Sequence, residues 1–73
     1  MEKTLIKIIN KKRKQAVYHY CMTGEPQVNG SVATLNLVYE TPTGDFSFER
    51  EVNLKDWFIM ALNGQNNKYR RVL

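Results

Sequence analysis

The 73-residue chain predicts a small α+β domain: a four-stranded antiparallel sheet, arranged as a meander of two hairpins, with one C-terminal helix. Two observations carry that prediction. Residues 4–54 contain four strand-like stretches bounded by turn-forming residues, a β-branched run at 4–9 and three in which apolar side chains recur at every second position. Residues 54–63, "LKDWFIMALN", are instead apolar almost throughout and lie between Asn53 and Gly64, residue types that start and stop helices.

The first strand is "TLIKII" (4–9), rich in β-branched residues, although Leu5, Ile6, Ile8 and Ile9 would also suit one side of a helix. "QAVYHYCM" (15–22) follows, with Ala16, Tyr18, Tyr20 and Met22 pointing one way and Val17, His19 and Cys21 the other. The intervening "NKKRK" becomes a hairpin tip. "TGEPQVNG" (23–30) concentrates Gly, Pro and Asn and reads as a loop. "SVATLNLVYE" (31–40) alternates most clearly, with Ala33, Leu35, Leu37 and Tyr39 on its apolar face. "TPTGD" (41–45) suits a short hairpin connection with a bulge. "FSFEREVNL" (46–54) alternates again, but Arg50 falls on the inward side, which marks a bulge or the rim of the sheet.

In the expected helix, Asn53 is the N-cap and Asp56 sits in the first turn. Leu54, Trp57, Phe58, Ala61 and Leu62 form the core stripe, and Ile59 and Met60 widen it beyond what one small sheet covers. Trp57, Ile59 and Met60 are therefore the candidate protein interface. Residues 1–64 are expected to form one domain and 65–73 a basic tail.

A chain this short buries only about 60% of its unfolded surface, so a further source of stability is expected. Its single cysteine, Cys21, excludes an internal disulfide, and Cys21 with His19 cannot complete a four-ligand zinc site. Association, as a homodimer or with a permanent partner, is the helper that remains. No metal, cofactor or small-molecule substrate is expected. No apolar run approaches the roughly 20 residues needed to span a bilayer, and no signal-peptide core is evident, so the expected location is the cytoplasm.

The net charge of +4 conceals an asymmetry. Residues 1–22 carry six Lys/Arg and one Glu, residues 23–56 two against six acids, and residues 57–73 three cations and no acid. Lys11, Lys12, Arg13 and Lys14 are consecutive, with Lys7 on the preceding strand. Cations this dense repel one another and gain when a polyanion neutralises them. Tyr18 and Tyr20 follow directly, and Tyr69 lies in "NKYRR" between Lys68 and Arg70–Arg71. Rings between cations are what a single-strand-binding surface requires, since bases stack while Lys and Arg follow the phosphates. Catalysis has a weaker basis. His19 and Cys21 share a strand face about 7 Å apart, but no third group orients the His. Glu49 and Glu51 read as exposed strand residues.

The strand-to-helix passage "REVNLKDWFIMAL", with the order of four strands and a helix, resembles the whirly-type coactivator modules called positive cofactor four. That resemblance implies a basic, aromatic-bearing sheet that binds single-stranded DNA and a helix that forms a dimer. Glu49 and Glu51 depart from it, lying where a basic strand would serve. Two readings follow. One is a non-enzymatic protein that binds single-stranded DNA or RNA, using Lys7, Lys11–Lys14, Tyr18, Tyr20 and Lys68–Arg71. The other is a phage- or mobile-element-type effector that inhibits or retargets a host protein through its apolar helix or a sheet edge.

Overall fold

The computed structural model describes residues 3–73 and corrects the predicted class: among the described residues the fold is all-β, with seven strands and no helix. The strands are β1 (Lys3–Asn10), β2 (Val17–Thr23), β3 (Gln27–Asn29), β4 (Val32–Thr41), β5 (Gly44–Asn53), β6 (Trp57–Asn63) and β7 (Lys68–Arg71). All pairings are antiparallel, and the sheet runs β3-β4-β2-β1-β6-β7, with β5 on the other edge of β4.

The four expected strands all form. β1 and β2 pair from Lys3↔Thr23 to Ile9↔Val17, and β4 and β5 from Val32↔Asn53 to Thr41↔Gly44. The stretch read as a loop at 23–30 also contains β3. Gly24 (φ 71°) and Pro26 interrupt what is otherwise one long strand, so β2 and β3 pair with successive parts of β4. Gly30 (φ 63°) occupies the first position of a two-residue turn into β4, the place where a positive φ favours glycine.

The expected helix is strand β6. Its run is apolar on all sides because both faces are covered, not because it is a wide helical stripe. Trp57, Ile59 and Ala61 face the interior, while Phe58, Met60 and Leu62 are half-buried on the outer face, flanked by the side chains of the neighbouring strand β7. A short apolar run bounded by turn signals fits a doubly covered strand as well as a helix, and here pairing to β1 on one edge and β7 on the other decides it. The cap signals were turn signals. Asn53 Oδ1 accepts from Lys55 N at 3.0 Å and Asn53 O from Asp56 N at 3.1 Å, which is an Asx turn. Gly64 opens a turn in which Asn63 Oδ1 accepts from Gln65 N, and Asn67 takes the left-handed conformation (φ 57°).

The connector Leu54–Asp56 forces the sheet to curl. It joins β5 to β6, yet β4, β2 and β1 lie between them in the sheet. Four strand spacings across a flat sheet come to about 19 Å. Four Cα–Cα steps reach at most about 14 Å, and this turn is tighter than that. The sheet therefore folds over into two layers, β3-β4-β5 against β2-β1-β6-β7. Ile6, Ile8, Met22, Ala33, Leu35, Leu37, Val52 and Ile59 are buried together between them.

Candidate nucleic-acid interface

The hairpin tip is an ordered turn rather than a loose loop. Asn10 Oδ1 accepts from the backbone N–H of Lys12 (3.0 Å) and of Arg13 (2.9 Å). Ala16 N donates to Arg13 O at 2.8 Å, and Asn10 N to Ala16 O at 3.1 Å. The four cations separate into two roles. Lys11 fastens the tip to the β5–β6 connector, its N–H on Asp56 O (2.9 Å) and its ammonium on Leu54 O (2.7 Å). Lys12, Arg13 and Lys14 are exposed and make no ion pair among the described residues. The turn fixes the backbone that carries them, and no acid among the described residues pairs with them.

Beside the tip lies an aromatic rim where the two layers part. Trp57 is the register partner of Asn10, and Tyr18 that of Ile8, so both rings stand next to the tip. Their centroids are 5.7 Å apart at 46°. Tyr20 meets Phe48 edge-on at 6.1 Å. Between these pairs sits Arg50, 5.1 Å from the Tyr18 ring and 5.5 Å from the Tyr20 ring, with Nη1 donating to the Tyr20 hydroxyl at 2.7 Å. The guanidinium is held by rings and a hydroxyl, with no carboxylate on it, so it keeps its positive charge at the centre of the rim. Tyr18 remains 46% exposed and Phe48 39%. The rim thus offers two partly exposed rings and a planar cation, the kinds of group on which unpaired bases can stack.

The structure divides the predicted binding residues between two faces. Tyr18 and Tyr20 point to the rim, next to Lys12–Lys14. Lys7, Tyr69 and Arg71 lie on the outer face of β1 and β7, where the Lys7 ammonium sits 4.1 Å from the Tyr69 ring and the Arg71 guanidinium 5.0 Å from that of Phe58. Lys68 and Arg70 take the opposite side of β7, and Arg70 lines a groove of about 430 Å³ with Thr4 and Pro26. Arg50 and Phe48 were not among the predicted contacts. The signal for Arg50 was its place on the inward side of the alternation.

Of the proposed protein interface, Ile59 is wholly buried, Trp57 is half-buried in the rim and Met60 is half-buried on the outer face opposite Arg71. The passage "REVNLKDWFIMAL" spans β5, a turn and β6, so a protein-effector reading has no apolar helix to present. His19 and Cys21 share the outer face of β2 and line a shallow groove of about 480 Å³ with Leu5, Val38 and Glu40. Elsewhere on that face the Lys3 ammonium bonds Glu40 (3.0 Å) and Asp45 (3.1 Å), and these hydrogen bonds raise its pKa above the ordinary lysine value. No helix among the described residues is long and apolar enough to cross a membrane.

Neither family models, characterised proteins nor solved structures yield a match to this chain.

Proposed function

We propose that this protein binds single-stranded nucleic acid at the aromatic rim, without catalysis. Phosphates run along Lys12, Arg13 and Lys14, and one or two bases stack on Tyr18 and Trp57, with Arg50 contributing a planar cation beside them. The observation that carries this reading is the adjacency of three exposed cations, which make no ion pair among the described residues and stand on a hydrogen-bonded turn, to a half-exposed aromatic cluster that encloses a fourth. A duplex fits less well, because stacking on the rim needs an unpaired base.

The test is anisotropy of labelled single- and double-stranded oligonucleotides across a salt series. Each phosphate contact on a single strand contributes about 0.7 to the slope of log affinity against log salt. The triple substitution Lys12→Gln, Arg13→Gln, Lys14→Gln is therefore expected to lower that slope by about 2 and to weaken binding to every sequence alike. Lys11 stays unchanged in this variant because it holds the connector. Absence of binding by the unmodified protein at low salt would end the proposal.

A further inference from the structure

The two outermost strands of the sheet carry opposite charge. Among the described residues β5 pairs only with β4, which leaves its other edge open along Gly44–Asn53. Its outer face is acidic, with Asp45, Glu49 and Glu51, and its inner face leaves Phe46 61% and Phe48 39% exposed. β7 pairs only with β6, and its open edge carries Lys68, Tyr69, Arg70 and Arg71. A ten-residue strand with one open edge and two exposed phenylalanines is a template for another strand.

We infer that a second copy of this chain fills that edge head to tail, its β7 adding antiparallel to β5. Pairing β5 with its own copy is disfavoured by its acids. With the inner faces kept on one side, a two-fold axis must pass through a residue. An axis at Ser47 sets Asp45 against Glu49; one at Phe48 sets Asp45 against Glu51. An axis at Glu49 sets that residue against itself, and one at Arg50 sets Glu49 against Glu51 and Arg50 against its own copy. Like charges directly opposite are destabilising, so these four central registers all oppose a two-fold contact.

β7 has the complementary pattern. In the antiparallel register that places Asp45 opposite Arg71, Phe46 faces Arg70, Ser47 faces Tyr69 and Phe48 faces Lys68. That arrangement sets Asp45, which also bonds Lys3 at 3.1 Å, against Arg71, places two cations against exposed rings and covers both phenylalanines. Because the contact joins two different edges, each added copy presents the same pair of edges again, and the assembly closes as a ring or grows as a filament. The contact shares Phe48 with the aromatic rim, so it concerns the protein freed of nucleic acid.

Sedimentation velocity on the full chain at micromolar concentration tests it through a charge exchange. The unmodified protein is expected to sediment above the monomer, and less so at high salt. Asp45→Arg and Arg71→Asp, each alone, are expected to be monomeric. Their equimolar mixture is expected to recover the heavier species, because every contact between unlike copies again joins opposite charges. A second pair, Phe46→Lys with Arg70→Glu, repeats the exchange at the neighbouring position if Asp45→Arg is poorly folded by near-ultraviolet circular dichroism. A monomeric unmodified protein, a mixture that stays monomeric in both pairs, or an Arg71→Asp variant that still associates alone would overturn the head-to-tail contact.

Discussion

Replacing Tyr18 by Ala removes the most accessible ring of the proposed stacking surface while leaving every cation in place. With 46% of the residue exposed, roughly half of the 150–250 Å² that an enclosed aromatic buries is at stake in folding. At about 25 cal/mol per Å², about 100 Å² corresponds to a stability loss of at most about 2.5 kcal/mol. The effect on binding is separate. Loss of one base–aromatic stack costs about 1–3 kcal/mol, or roughly 5- to 150-fold in affinity, and stacking releases no counterions. The expected result is weaker binding by Tyr18→Ala at every salt concentration with an unchanged salt slope. Tyr18→Phe should keep nearly all the affinity, because the ring remains. Tyr69→Ala on the outer face should bind like the unmodified protein. Trp57, 5.7 Å from Tyr18, reports occupancy directly, so an oligonucleotide should change its fluorescence. Anisotropy titrations measured under conditions where the variants are folded decide the matter. If Tyr18→Ala binds normally, or if Tyr69→Ala loses as much, the rim is not where bases stack.

Other outcomes follow from the fold. Ile59→Ala empties a wholly buried position and should cost about 2–5 kcal/mol in denaturant unfolding, whereas Met60→Ala on the half-buried outer face should cost clearly less. Gly30→Ala meets no neighbouring atom but must hold a positive φ, so a loss of about 1–2 kcal/mol is expected from backbone strain alone. Cys21→Ser, half-buried on the outer face of β2, should shift the unfolding midpoint modestly and leave oligonucleotide binding intact, since no thiol chemistry is proposed. Because the Lys3 pKa is raised by Glu40 and Asp45, its contribution is fully present below the ordinary lysine value and is lost as pH rises through the folded value; Lys3→Met should abolish that alkaline dependence in thermal unfolding.

Local chemistry was legible wherever one face of a segment meets water and the other meets the core. The alternation in 15–22, 31–40 and 46–54 sorted the residues of β2, β4 and β5 onto two faces, and Met22, Ala33, Leu35, Leu37 and Val52 are buried; Tyr39, Phe46 and Phe48, read as inward, are instead exposed because the inner face is open at that end of the strands. The exposed cations 12–14 were legible for the same reason, as a turn with no apolar residue to bury. The run 54–63 was not legible, because its apolar residues occupy both faces and erase the periodicity that separates strand from helix. Its state is decided by register with Ile6–Asn10, some fifty residues earlier, and by β7 on its other edge. Asn53 and Gly64 pointed to a helix because an Asx turn and a helix cap use the same side-chain acceptor on nearby backbone N–H groups. The site has the same division. Composition supplied cations and rings, but which of them meet depends on the three-residue connector that folds one layer over the other. That closure brings Arg50 of β5 onto Tyr18 and Tyr20 of β2, a contact across strands that are not neighbours in the sheet and that local sequence cannot specify.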